Sequence, residues 1–188
     1  MNIKQKQCLL EYLGYYNPEN SKAVNNIDVI WGGASKEATK RFQEDYGLEA
    51  DGIFGSATER RILEVVKSGE EPGINWDKVK YFTRDEFKCP CPRCGGFPAE
   101  PSPKLVRVAD RIREHFGKAA IVSSGVRCQA HNDELKNSVP NSRHVSGKAM
   151  DFKIRGKTAA QVLEYAWKQP EIRYAYNIDG TYIHMDVE

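Results

Sequence analysis

No stretch of this chain is apolar for long enough to span a bilayer or to act as an export signal, since Met-Asn-Ile-Lys-Gln-Lys-Gln-Cys leads into only a short apolar run. The expectation is synthesis in the cytoplasm without a signal peptide and without a transmembrane segment. An excess of one charge is lacking too. Lys plus Arg 28 against Asp plus Glu 26 leaves a net charge of +2, which argues against nucleic acid as the main partner. Histidine is scarce at four residues, so each one can be weighed separately.

Cysteine is also sparse, at five residues, but it is clustered. Three lie in Cys-Pro-Cys-Pro-Arg-Cys-Gly-Gly as Cys89, Cys91 and Cys94, and Cys128 follows later. In a chain without an export signal these are expected to be thiols or metal ligands rather than disulfides. A structural zinc gripped by the four is one reading. Reduced, partly buried thiols, or a disulfide formed on adventitious oxidation, are the others. Cys8, among Leu9, Leu10 and Leu13, is expected to pack as a small apolar residue.

At 188 residues the chain can bury one ordinary core and carry a second module. Ile3, Leu9, Leu10 and Leu13 mark a first amphipathic helix, and Ala38, Phe42 and Tyr46 a second. Ser56 with Glu59 forms the pattern of a capping box opening a third helix, with Ile62, Leu63 and Val66 facing inward. Residues 1–67 thus read as a three-helix bundle, and 68–80 as a Gly-, Pro- and charge-rich linker. Residues 81–188 read as an α+β domain. Thr83 and Glu86 form another capping box, Lys104 to Phe116 a helix with one apolar stripe, and Ala120 to Val122 a buried strand. Ala159 to Trp167 is a packing helix and Tyr182 to Val187 a closing strand, giving a mainly antiparallel sheet flanked by helices.

Two stretches carry chemistry. Ser-Arg-His-Val-Ser-Gly-Lys-Ala-Met-Asp supplies His144 and Asp151, and Tyr-Ile-His-Met-Asp supplies His184 and Asp186. Two imidazoles and one carboxylate suit a single divalent metal, and zinc sites with three protein ligands keep a position open for a reactive water. Strand alternation sets Tyr182, His184 and Asp186 on one face and Ile183, Met185 and Val187 on the core face. His115 reads as a helix C-terminal cation and His131 as a loop residue.

The first segment, from Ala38 through Thr58, resembles the three-helix peptidoglycan-binding domain found beside cell-wall hydrolases. Phe42, Gln43, Gly47, Leu48, Asp51, Gly52, Gly55 and Thr58 fall on its pattern. The resemblance covers residues 3 to 66 and implies bacterial peptidoglycan as partner, with Trp31 and Tyr15 as candidates for the ligand-facing surface. Ser-Ser-Gly-Val-Arg-Cys, together with the two stretches above, is similar to the zinc D-alanyl-D-alanine carboxypeptidase and endopeptidase family, which has the lysostaphin/hedgehog-like metallopeptidase fold. That resemblance spans about residues 81 to 188. It implies His144, Asp151 and His184 as zinc ligands, Arg127 as a guanidinium facing the substrate, and Ser142 as a hydroxyl near the same substrate end.

One position departs from that family. Several relatives carry an acidic base three residues before the last ligand, and here that residue is Thr181, which cannot take a proton at neutral pH. Asp186 is the first candidate for the base and Asp179 the second, against a role for Asp186 as a carboxylate that only orients an imidazole. The function expected is a monomeric zinc peptidase, endolysin-like, that hydrolyses peptide bonds of peptidoglycan stem peptides at the cell wall. Its competitors are a catalytically silent wall-binding zinc protein and a zinc dipeptidase acting on soluble D-amino-acid peptides.

Overall fold

The computed structural model describes residues 1–16, 27–70, 73–136, 138–169 and 171–187. Within the expected first domain residues 17–26 lie outside the described residues, as do 71 and 72 of the expected linker, Asn137, Pro170 and Glu188. The chain divides into two compact units, Met1–Ile74 and Asn75–Glu188, so the break falls inside the stretch read as a linker. Trp76 belongs to the second unit, where its ring packs on Phe87.

The first unit contains α1 (Ile3–Tyr12), α2 (Gly33–Asp45) and α3 (Ser56–Ser68). Asn2 caps α1 through a capping box with Gln5, satisfying amide groups that the helix itself cannot. Leu10, Tyr15, Tyr16, Ala38, Phe42, Phe54, Ile62 and Val65 form the core. Each large apolar side chain buried there contributes about 1.5–3 kcal/mol.

Several local expectations are corrected. The N-cap of α3 is Gly55, without a side-chain cap bond, because Ser56 already occupies the first helical position and its hydroxyl comes one residue late. The inward stripe of α3 is Thr58, Ile62 and Val65, whereas Leu63 is 47% exposed. Cys8 is exposed, since α1 turns Gln7 and Leu10 inward. Tyr15 is buried and its hydroxyl donates to Asp45 Oδ2 at 2.6 Å, so it faces the core and offers no surface for a ligand.

An internal repeat, absent from the sequence reading, organises this unit. Gln7 Oε1 accepts from the Val29 amide at 3.0 Å, and Gln43 Oε1 accepts from the Gly52 amide at 2.9 Å. The two amide groups donate alike: Gln7 to Asp28, the Ile30 carbonyl and Ser35, and Gln43 to Asp51, the Ile53 carbonyl and Thr58. Asp-Val-Ile-Trp-Gly-Gly-Ala-Ser and Asp-Gly-Ile-Phe-Gly-Ser-Ala-Thr are therefore two copies of one loop, each clamped by a buried glutamine. Val29, at φ 59, stands where the second copy has Gly52 at φ 72.

The second unit is α+β. After a 3-10 turn at Arg84–Phe87, capped by Thr83 and Glu86 as expected, come α4 (Pro103–Phe116), β1 (Ala120–Ser124), α5 (Gln129–Glu134), β2 (Ala149–Ile154), α6 (Ala159–Ala166), β3 (Ile172–Asn177) and β4 (Ile183–Val187). The strands form an antiparallel sheet in the order β1-β2-β4-β3. Leu105, Val108, Ala109 and Ile112 of α4 and Val162 and Ala166 of α6 are buried, and both helices contact the central strands. Among the described residues no helix is long and apolar enough to cross a membrane.

Candidate metal centre

The register of the sheet builds the site. Ser124 of β1 pairs with Asp151 of β2, Asp151 with His184 of β4, and His184 with Tyr176 of β3. Directly opposed residues in antiparallel strands project to the same face, so these four make one row across the sheet. His144 reaches the row from the turn before β2. That turn closes through Val145 N–H to Ser142 O at 3.0 Å and Gly147 N–H to His144 O at 3.2 Å. Gly147 is required there: its φ is +72, and a Cβ would lie 2.0 Å from the Glu100 carbonyl oxygen.

Three donor atoms meet at one point. His184 Nδ1 is 2.8 Å from Asp151 Oδ1, His144 Nε2 is 3.2 Å from the same oxygen, and the two nitrogens are 3.3 Å apart. All three residues are buried. The other nitrogen of His144, Nδ1, lies 2.6 Å from the Gly125 carbonyl and must donate to it. His184 Nε2 faces Asp186 Oδ2 at 3.4 Å. Nε2 of His144, Nδ1 of His184 and Oδ1 of Asp151 thus converge on one point, where either a proton on a ring or a bound cation separates their lone pairs. The separations also suit zinc, whose N and O ligands stand about 2.0–2.1 Å away and hence roughly 3.3 Å from each other in a tetrahedron. The residues present fit the ion.

Burial pushes the Asp151 carboxyl up, but hydrogen bonds from His144 and His184 outweigh it and hold the group well below the usual carboxylate range. Its second oxygen is occupied as well. Arg127 donates from its terminal nitrogen to Asp151 Oδ2 at 2.6 Å, and from Nε to Ser124 Oγ at 2.7 Å. Arg127 therefore lies against the donor cluster. Ser142 is half-buried two residues before His144, its backbone tied into the turn.

Asp186, the first candidate for the base, lies beside the outer face of His184. It meets the His184 nitrogen that points away from Asp151, and Arg173 grips both its oxygens at 2.8 Å. Asp179 is exposed in the turn before β4, where amides of Tyr182 and Thr181 hold its carboxyl below the usual range. Thr181 donates its amide to that carboxylate.

Tyr176 and Arg173 escaped the sequence reading. The Tyr176 ring stacks on His184 at 4.9 Å between centroids and 28° between planes, and burial, then the Asp151 charge, raises its hydroxyl pKa. Tyr174 and Trp167 continue from it as an exposed aromatic run. The available signal was the alternation of Tyr174 and Tyr176 in β3. Elsewhere, His115 in the last turn of α4 stacks on Tyr165 at 3.6 Å, and His131 lies in α5, outside the cluster.

A second donor set lies apart from the first. The sulfurs of Cys89, Cys94 and Cys128 lie within 4.8 Å of one another, and Cys91 touches Cys128. All four are free thiols.

The four-stranded antiparallel sheet thus presents two imidazoles and a carboxylate to one point, with Arg127 against the carboxylate, a donor set that could hold a metal ion. The chain belongs to the Peptidase M15 family, which matches residues 80–186, and a peptidoglycan binding domain matches residues 2–62. The chain is 30% identical over 132 residues to the zinc D-Ala-D-Ala carboxypeptidase of Streptomyces albus G, covering 67% of this chain and 49% of that one. It is 40% identical over 65 residues to the N-acetylmuramoyl-L-alanine amidase CwlL of Bacillus licheniformis, covering 35% of this chain and 18% of that one. It is also 29% identical over 70 residues to the spore cortex-lytic enzyme of Oceanobacillus iheyensis, covering 37% and 23%. The chain thus spans about half or less of the length of these relatives.

Proposed function

We propose that this protein is a zinc peptidase that hydrolyses D-alanyl peptide bonds in bacterial peptidoglycan stem peptides, acting at the cell wall as a monomer, with residues 1–67 holding it to its substrate. The observation that carries this reading is the convergence of His144 Nε2, Asp151 Oδ1 and His184 Nδ1, three metal-ligating atoms that lie 2.8, 3.2 and 3.3 Å from one another. Membership of the Peptidase M15 family, the wall-binding match and the name of the Streptomyces albus G relative support the substrate class.

Zinc bound by His144, Asp151 and His184 supplies Lewis acidity toward a peptide carbonyl and lowers the pKa of water to about 7. The chain's own residues do the rest. The Gly125 carbonyl and Asp186 fix the two imidazole tautomers, so each ring presents a lone pair inward. Arg127, beside Asp151, offers a guanidinium either to a substrate carboxylate or to the developing oxyanion. Ser142 serves the same end of the substrate, and Tyr176 forms the wall over His184.

Asp186 is assigned to positioning His184 instead of to proton transfer, because Arg173 occupies both its oxygens. Asp179 is a weak base, its carboxylate already stabilised by two amides. A zinc ion held by His144, Asp151 and His184 would lessen the demand for an acidic side chain at position 181, where this chain has threonine. We assign the second donor set, Cys89, Cys91, Cys94 and Cys128, to a structural zinc ion.

The test is digestion of purified peptidoglycan with zinc-loaded protein, followed by mass spectrometry of the released muropeptides. Free D-alanine or new stem-peptide termini are expected. Cleavage of the bond between muramic acid and L-alanine would move the protein to the amidase class.

A further inference from the structure

The cysteine knuckle is joined to the catalytic row by one short segment, residues 124–128. Cys128, at its end, places its thiol in the cluster and donates its amide to Cys89 Sγ at 3.4 Å. One residue earlier, Arg127 carries the guanidinium that contacts Asp151, and its amide donates to the His144 carbonyl at 3.0 Å. Val126 donates its amide to the Phe87 carbonyl at 2.7 Å. Gly125 supplies the carbonyl that sets the His144 tautomer. Gly125 is pressed on the chain just before the knuckle, since a Cβ there would lie 2.5 Å from Phe87 Cα.

Residues 88–98 contain no regular helix or strand; the Cys89 amide donates to the Gly96 carbonyl at 2.7 Å, and Arg93 donates to Cys91 Sγ at 3.5 Å and to Glu134 at 2.6 Å. The thiols of Cys89, Cys94 and Cys128 converge from two chain segments, and Cys91, whose sulfur accepts from Arg93, touches Cys128. Amides of Cys128 and His131 point at two of the sulfurs, at 3.4 and 3.3 Å.

We propose that the zinc ion held by Cys89, Cys91, Cys94 and Cys128 is the clamp that positions segment 124–128, and through it Arg127 and the tautomer of His144. This rests on the assignment of a structural ion above. The ion acts at a distance: its four ligands touch neither substrate nor the catalytic donors, and the backbone from Cys128 back to Gly125 carries the constraint. Losing it releases the Gly125 carbonyl and the Arg127 guanidinium together. The outer support of the catalytic ion is thereby weakened, with its three ligands left in place.

The experiment uses the full chain. Metal analysis after zinc loading is expected to give two ions per chain, one in Asp151→Ala and one in the Cys94→Ser/Cys128→Ser double variant. Cobalt substitution of the unmutated chain and of Asp151→Ala is expected to give an intense near-ultraviolet thiolate-to-metal absorption in both, a readout independent of whether a cysteine variant folds. Amide exchange at Val126 and Arg127 is expected to quicken about tenfold or more in the double variant. Cys128→His, which keeps a zinc-binding side chain, is expected to restore both the second ion and the protection.

A single zinc per chain that Asp151→Ala abolishes would overturn the proposal, as would a disulfide among the four cysteines in freshly purified protein. So would loss of the second ion with unchanged exchange at Val126 and Arg127. Failure of the peptidase reading looks different: two zinc ions and intact coupling, but no new termini in digested wall.

Discussion

Asp151 and His184 are register partners across β2 and β4, and Oδ1 of the first lies 2.8 Å from Nδ1 of the second. The sheet thereby fixes two of the three donors to each other through backbone hydrogen bonds, before any ion arrives. Only His144 comes from a turn, and Gly125 and Gly147 hold that turn in place. Preorganisation of this kind lowers the ordering cost of metal binding.

Asp151→Ala and His144→Ala should each abolish binding of the catalytic ion and all peptidase activity. Equilibrium dialysis with zinc, paired with muropeptide release, checks this. Stoichiometric metal at the catalytic site in either variant would reject the ligand assignment.

Asp186→Asn should keep the catalytic zinc at saturating concentration but lower affinity or activity about 10–100-fold, the range for losing a carboxylate that orients a ligand histidine. Arg173→Ala should move the same quantities in the same direction by less. If Asp186 were the base, the pH–rate profile of Asp186→Asn would lose its acidic limb with zinc affinity unchanged.

Val29→Gly should stabilise the N-terminal unit. A left-handed non-glycine residue costs about 1–2 kcal/mol, whereas glycine adds roughly 0.5–1 kcal/mol of chain entropy. Val29 is half exposed and loses little packing, so a net gain of about 0.5–1 kcal/mol is expected in urea unfolding. The repeat partner reverses the sign: Gly52→Ala should destabilise, because φ is +72 and the Lys36 carbonyl oxygen would lie 3.1 Å from the new Cβ.

Asp28 and Asp51 should titrate below ordinary carboxylates. The Ile30 amide, then Gln7, lowers the first, and the Ile53 amide, then Gln43, lowers the second. A depressed folded pKa gives stability that is present above the unfolded value of about 3.9 and lost as pH falls through the folded one. Carboxyl NMR of the full chain should show both titrating low, and Asp51→Asn should flatten the acid limb of the stability curve.

How much of this was legible in the sequence depended on the range of the interaction. The helices, the closing strand and the α+β architecture were written in apolar spacing, and the three donors in two motif stretches. The Leu63 error arose because apolar identity does not say which residue turns inward, and burial of Thr58 with Ile62 and Val65 rotated α3. The first loop repeat was hidden because Val29 replaces the glycine that marks the second. Tyr176 and Arg173 reach His184 and Asp186 only through cross-strand register, which local periodicity does not encode. Arg173, which donates to Asp186, sits thirteen residues away in the chain, so its grip on that carboxylate was not legible in the sequence.

The most direct measurement is mass spectrometry of purified peptidoglycan digested by the zinc-loaded chain beside Asp151→Ala. D-alanyl termini or free D-alanine should form with the native chain and not with the variant. An intact wall, with zinc shown to be bound at His144, Asp151 and His184, would contradict the account.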